Sequence, residues 1–501
     1  MINMRHIGNH AEHMPDHIAI DDGKQTVSWK TMYDETEVKV GRLLDIFGDS
    51  LPAQACYIAH NSIALIQWLA ACTTLSIGVT GLDYTLPQQG LCDLMRRLDP
   101  RLLFVDDTLE ASSLLASYDK PLSVIHIGAC TSTTGKVNGD INRRISGNGH
   151  VERVYRAVGL TSGTTGHPKL VIRKKSFDVR RFAYFTGRYG FNSHDRFLVA
   201  MPLYHAAGNG WARMFMGLGA KLFLAPINRP DAIAQCIEVS GVTASVMTPG
   251  LLARTLDAIE CSGTGDKLAL RWLLIGGKYF PVSQKKRALS ILGPVVHEYY
   301  GTTETGVNTI ADPADMETYP ESVGLPFEGN DVAVVGAGGN LLDPGEDGAI
   351  CVASYMNMDD YDGGGAARVT LKGKHYLLTS DIGHLDGSGR LYLINRSGAR
   401  GHLHNLYRLE DAIRCITGVS DVALWSPNGR SGVEIACAIE PIATDAEKSR
   451  SLLVKKARDL ITSENLRCGP ICVVHAIPYS PSGKVRVSDL DMMCDAKGDV
   501  A

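Results

Sequence analysis

A chain of 501 residues is longer than one hydrophobic core ordinarily supports, so it reads as two or more units. Hydrophobic residues at 45% and charged residues at 21% exclude a disordered or fibrous chain, and a formal net charge of -4 gives no electrostatic basis for nucleic acid as a partner. The twelve cysteines are scattered without the close Cys/His spacing of a zinc site and read as reduced thiols.

Residues 1–17 are polar and histidine-rich, unlike a secretory leader. The longest apolar stretch, residues 63–79, is broken by Gln67, Thr73, Thr74 and Ser76 and is too short and polar to span a bilayer. No membrane span and a cytoplasmic location are therefore expected. Over the first 300 residues short apolar runs alternate with helical patterns, the signature of a parallel sheet covered by helices. Residues 56–60 read as a strand, Asn61 or Ser62 as an N-cap, residues 63–71 as the helix it opens, and residues 102–106 as the next strand. The rhythm returns at residues 197–201, 221–225, 242–247, 272–275 and 295–300, which predicts doubly wound α/β sheets. Residues 131–150 read as a polar surface excursion. Past Gly324, short strands with Gly and Asp turns at residues 331–335 and 348–352 predict a small β subdomain. After Arg396 a helix, strands at residues 419–425 and 433–439, a helix near 446–461 and a strand at 471–477 predict a separate α+β lobe.

Chemistry concentrates in a few places. Thr161, Ser162, Gly163, Thr164, Thr165 and Lys169 share one short loop. Glycine lets backbone N–H groups approach an oxygen-rich anion, hydroxyls donate to it and lysine adds charge, so the loop is a candidate phosphate cradle. It lacks the G-x-x-x-x-G-K-[ST] spacing of the Walker loop. Farther on stand Tyr300-Gly301-Thr302-Thr303-Glu304, Ser380-Asp381, Asn395-Arg396 and Pro481-Ser482-Gly483-Lys484. Glu304 is a hard oxygen ligand of the kind Mg²⁺ accepts.

In this order, across more than 300 residues, these stretches resemble the motifs of the adenylate-forming superfamily, which holds acyl-CoA synthetases, aryl-acid ligases, peptide-synthetase adenylation domains and luciferases. The likeness is to its acyl-CoA synthetase-like branch. The resemblance implies an α/β fold: a large N-terminal AMP-binding domain of doubly wound sheets over residues 1–395, with a small β subdomain at about 320–395, and a small mobile α+β C-terminal lid over 396–501. It implies ATP and Mg²⁺ as cofactors. Residues 161–169 would hold the phosphates, Tyr300 with Gly301 and Gly277 the adenine, Asp381 the ribose hydroxyls and Arg396 the nucleotide. Thr303 would contact phosphate and Glu304 the metal. Lys484 would be the catalytic lysine, bridging the carboxylate and the α-phosphate as pyrophosphate leaves, where preorganised charge acts most strongly.

The stretch from Pro202 to Trp211 resembles the lining of that family's acyl pocket, with His205 at the gate and as a catalytic candidate. Gly208, Trp211, Met214, Gly276 and Lys278 complete the expected pocket. No aspartate lies between residues 202 and 219 to pair an α-ammonium, so the small-molecule carboxylic acid is read as aromatic or medium-length and apolar, not an amino acid. Residues 396–410 are about two residues shorter than the corresponding stretch of acyl-CoA synthetases and lack its paired glycines. The acceptor therefore stays open between a thiol (CoA or a carrier protein) and an amine, with a non-catalytic nucleotide sensor as the remote alternative.

Overall fold

The computed structural model describes residues 1–128, 157–161, 169–174, 179–227, 229–263, 268–396, 406–427, 434–442, 447–480 and 485–495. They form two compact units: Met1–Met247 with Asp257–Leu273 and Met358–Gly365, and Thr248–Leu256 with Leu274–Asn357 and Ala366–Ala501. Residues 396–501 thus share a unit with much of the chain before them. The polar excursion expected at residues 131–150 lies outside the described residues.

The first unit holds a parallel sheet in the order Gly78–Gly81, Gln54–Ile58, Leu102–Val105, Ser123–His126. Its inner strands are apolar on both faces because helices cover both, as a parallel sheet requires. Leu103 and Val105 face Leu91, Leu94 and Met95 of the amphipathic helix Gln88–Leu98 in one core. Helix Ile63–Thr74 starts where Ser62 Oγ accepts from Leu65 N at 3.2 Å, so Ser62 and not Asn61 is its cap. A second sheet runs Ala244–Met247, Arg196–Val199, Lys221–Leu224, Ile18–Asp21 and ends on the short antiparallel strand Thr26–Ser28. A third, antiparallel, pairs Ala157–Thr161 with Lys169–Arg173 and that strand with Asp360–Tyr361.

In the second unit the hairpin Val296–Thr302 and Gly306–Ala311 pairs with Leu325–Pro326. Behind it Lys285 and Glu298 are buried together, Nζ to Oε2 at 2.6 Å, and Lys285 spends its other donors on the carbonyls of Pro320 at 2.7 Å and Ser322 at 3.2 Å. Burial pushes the Glu298 carboxyl up to about 7 against the pull of Lys285. The β subdomain is an antiparallel sheet, Asn330–Val335, Gly348–Ser354, Lys374–Leu385 and Arg368–Leu371, with Leu391–Arg396 also on Lys374–Leu385. The C-terminal part has the sheet Val419–Trp425, Glu434–Pro441, Arg467–Val473 under helices Leu406–Arg414 and Glu447–Ser463, whose Leu409, Ile413, Leu453 and Ala457 fill its core. Its last strand begins earlier than the expected 471–477.

The cysteines depart from the expectation of free thiols at one place. Cys472, on Arg467–Val473, and Cys494, on helix Val487–Asp495, form a disulfide with Cα atoms 5.8 Å apart. Their 22-residue separation hides a pairing that appears only once strand and helix pack together. Nine other cysteines among the described residues are free. No helix among the described residues is long and apolar enough to cross a membrane.

Candidate active site

The hairpin Val296–Thr302/Gly306–Ala311 turns so tightly that a Cβ on Gly301 would lie 2.1 Å from the Gly306 carbonyl oxygen, and Gly306 itself adopts φ +75°. Pairing slips between Tyr300 and Gly301, which bends the strand at the motif. Thr302 Oγ1 accepts from the backbone N–H groups of Glu304 at 3.2 Å and Thr305 at 3.1 Å. Asn308 Nδ2 donates to Thr305 Oγ1 at 2.7 Å. The turn is therefore fixed from within, and it leaves Thr303 and Glu304 half-buried at its tip.

Asp381 sits on Lys374–Leu385 and is 7% exposed. Its Oδ2 accepts from the Tyr300 hydroxyl at 2.9 Å, which also lies 3.3 Å from Thr379 Oγ1, and the Asp381 N–H donates to that same Thr379 oxygen at 3.1 Å. The Tyr300 ring belongs to the core formed with Val323, Val332, Ile350 and Leu391. Asp381 stands opposite Arg396 on the neighbouring antiparallel strand. Two residues expected at the ribose and the nucleotide are thus cross-strand partners, and a third is hydrogen-bonded to one of them.

Gly276 ends strand Trp272–Gly276, and a Cβ there would meet the Tyr299 ring at 2.3 Å. Gly277 follows at φ +78°. The Lys278 ammonium lies 4.8 Å from the centroid of the Tyr479 ring.

In the first unit Thr161 and Lys169 are register partners at the mouth of a hairpin, so the phosphate-loop candidate is the connection between two antiparallel strands. The Lys169 ammonium is 4.8 Å from the centroid of Tyr361. His205 caps helix Ala206–Gly217, its Nδ1 accepting from Ala207 N at 3.4 Å. A Cβ on Gly208 would lie 2.2 Å from the Pro202 carbonyl oxygen, whereas one on Gly210 would meet nothing within 4 Å. Trp211, 1% exposed, packs edge-on to Phe185 at 4.7 Å and beside Trp272 at 5.0 Å, and Met214 is buried. Both therefore belong to the core beneath the pocket stretch. Ser162, Gly163, Thr164, Thr165, Lys484 and the Arg396 side chain lie outside the described residues.

Several residues near these stretches had been given no site role from sequence. Asn61 donates to the Met201 carbonyl at 2.9 Å and accepts from Leu203 N at 2.8 Å, fixing the segment that leads to His205. Next to it the His60 ring lies 4.7 Å from Tyr84, which is edge-on to Tyr204 at 5.6 Å. Burial pushes the Tyr84 phenol up to about 12, with Asp83 and Asp106 adding to the shift. Asp106 accepts from the His60 N–H at 3.1 Å. Burial works to raise that carboxyl, but hydrogen bonds from Thr108 and His60 hold it below its ordinary value. His60 and Asp106 follow the two strands on either side of the point where the parallel sheet reverses its order, the customary crevice for ligands in such sheets.

The family described as AMP-binding enzyme matches residues 8–362. Indoleacetate–CoA ligase of Aromatoleum aromaticum is 24% identical over 523 aligned positions, covering 97% of this chain and 98% of its own. The o-succinylbenzoate CoA synthetase of Bacillus subtilis, solved with its acyl-adenylate intermediate, has a TM-score of 0.75 at 19% identity and 98% coverage of both chains. It has also been solved with ATP and magnesium ion. The amide bond synthetase of Marinactinospora thermotolerans has a TM-score of 0.77 at 20% identity, covering 98% of this chain and 99% of its own. At these identities the likeness to the two structures is one of fold.

Proposed function

The chain belongs to the AMP-binding enzyme family, and on that premise we propose that it is an acyl-adenylate-forming ligase that activates a carboxylic acid with ATP and passes the acyl group to a second nucleophile. The observation that carries the reading is the Tyr300 to Asp381 hydrogen bond at 2.9 Å, beside a turn that presents Thr303 and Glu304. Polar groups from separate strands converge there, as a nucleotide requires.

In the first half-reaction a carboxylate oxygen attacks the α-phosphorus, the bond to the bridging oxygen breaks and pyrophosphate leaves. Asp381 takes the ribose hydroxyls, Tyr300, Gly301 and Gly277 the adenine, and Arg396 the nucleotide. Thr161, Ser162, Gly163, Thr164, Thr165, Lys169 and Thr303 are assigned to the phosphates. Glu304, a hard oxygen ligand, would hold the Mg²⁺ that accompanies ATP, and the ion would offset charge on the phosphates. Lys484, carried by a lid over residues 396–501, neutralises charge at the α-phosphate.

In the second half-reaction the nucleophile attacks the acyl carbon and AMP departs. His205, Gly208 and Gly276 are assigned to an acid that is aromatic or medium-length and apolar; the lack of an aspartate at residues 202–219 and the aromatic acids of the relatives support this. A thiol, of CoA or a carrier protein, is the first reading of the acceptor. An amine is the second, supported by the short 396–410 stretch and by the fold shared with an amide bond synthetase. The location is read as cytoplasmic. ATP–pyrophosphate exchange over a panel of aryl and fatty acids tests the adenylation step: one class of acid should raise exchange, and none doing so defeats it. CoA or simple amines added with that acid then separate thioester from amide.

A further inference from the structure

Tyr479 stands five residues before Lys484 and is held from several sides. Its ring centroid lies 4.8 Å from the Lys278 ammonium and 5.1 Å from the Arg254 guanidinium carbon, both within cation–π reach. A Cβ on Gly250 would stand 3.7 Å from the same ring. The Tyr479 hydroxyl donates to Asp421 Oδ2 at 2.6 Å, Asp421 Oδ1 is ion-paired with Arg414, and Arg414 reaches Glu410 at 3.2 Å. Burial and the Asp421 charge push the Tyr479 phenol upward, so it stays a protonated donor at neutral pH. Glu410, raised by burial, is pulled back by Arg414 and Lys278, which places the Lys278 charge inside this network. Just beyond Lys278 the rings of Tyr279 and Tyr407 stack at 4.6 Å, and Ser283 N donates to Asp411 at 3.3 Å.

We infer that Lys278 and Arg254 are positioning residues that grip Tyr479 and hold the C-terminal part in the orientation the adenylation step uses. This rests on the adenylation reading above. Five residues of chain span at most about 18 Å, so fixing Tyr479 bounds where Lys484 can reach. Lys278, placed by sequence in the acyl pocket, has its ammonium over the Tyr479 ring. The two roles separate kinetically, because a lid contact acts on turnover and an acid contact on the KM and choice of acid.

The test measures both half-reactions on the full chain: ATP–pyrophosphate exchange with the acid that drives the wild type fastest, and consumption of the matching synthetic acyl-adenylate by the acceptor. Lys278→Met is expected to lower the ratio of exchange turnover to adenylate consumption about tenfold, with the KM for the acid unchanged. Tyr479→Leu does the same, the double variant goes no lower, and Lys278→Arg, which keeps a cation over the ring, restores the ratio. A changed acid KM or preference with turnover retained overturns the inference in favour of an acid contact. An unchanged ratio, equal losses in both half-reactions, or losses that add in the double variant also overturn it. A wild type that exchanges with no acid defeats the adenylation reading itself, which is a separate result.

Discussion

Around Tyr300 the polar groups hold one another: Tyr300 to Asp381, Asp381 to Thr379, and Thr302 to two backbone N–H groups of its own turn. Around His205 the order comes instead from packing, with Gly208 pressed on the Pro202 carbonyl and Trp211 wedged among aromatic rings. The contrast follows the chemistry each would serve. A nucleotide has fixed donors and acceptors and needs directional partners, whereas an apolar acid needs volume and a wall. Nucleotide-side residues should therefore tolerate no polar change, and acid-side residues should tune specificity.

The largest effect should come from Lys484→Ala, with exchange falling about 10²–10³-fold, the scale of one lost preorganised contact. An unchanged exchange rate would remove Lys484 from the nucleotide side altogether. Next comes Lys285→Met. It strands the buried Glu298 carboxylate beneath the hairpin and should destabilise by about 3–5 kcal/mol in denaturant titration, whereas Lys285→Met with Glu298→Leu recovers most of that loss. If the single and double variants melt alike, the pair does not support the hairpin. Tyr300→Phe should raise the KM for ATP about tenfold by removing one hydrogen bond to a charged group, with the acid preference unmoved. His205→Ala should do the reverse, altering which acids are turned over while costing under about 1 kcal/mol of stability, since its cap bond is long. A His205→Ala effect confined to the KM for ATP would erase the contrast. The smallest effect is with pH. The folded Glu298 carboxyl titrates above its unfolded value, so its contribution is complete below about 4.5 and is lost as pH rises through about 7. Glu298→Gln should flatten the melting temperature in that window relative to the wild type.

Much of the frame was legible because local pattern determines it. The strands near residues 56, 102, 197 and 221 fall within a few residues of their predicted limits, and Ser62 caps its helix as a serine before an apolar run should. The stretches at Tyr300 and Asp381 could be singled out from sequence because few residue types suit phosphate, ribose and metal, and the structure joins them by a hydrogen bond. What stayed hidden depends on partners far along the chain. Lys285 lies on a helix where a lysine is ordinarily solvated, and only its packing on Glu298 and Pro320 reveals otherwise. Tyr479 reads as one aromatic in a loop until Lys278 and Arg254, some 200 residues earlier, are seen beside it. Ile18–Asp21 is too short a run to announce that it joins a sheet with Lys221–Leu224. Trp211 and Met214, expected at the pocket, are buried, a depth that sequence does not give.

The carboxamide of Asn61 behaves as a borrowed peptide unit: it offers Met201 and Leu203 the donor and the acceptor that an adjacent strand would otherwise supply. The approach to His205 therefore takes its register from one side chain at the head of another helix. Only a group with both an N–H and a carbonyl in one plane can do this, so aspartate would satisfy Leu203 and desert Met201, and leucine would desert both. Such a change should first appear as faster amide exchange at Leu203 and a broader range of accepted acids, well before the chain loses its grip on ATP.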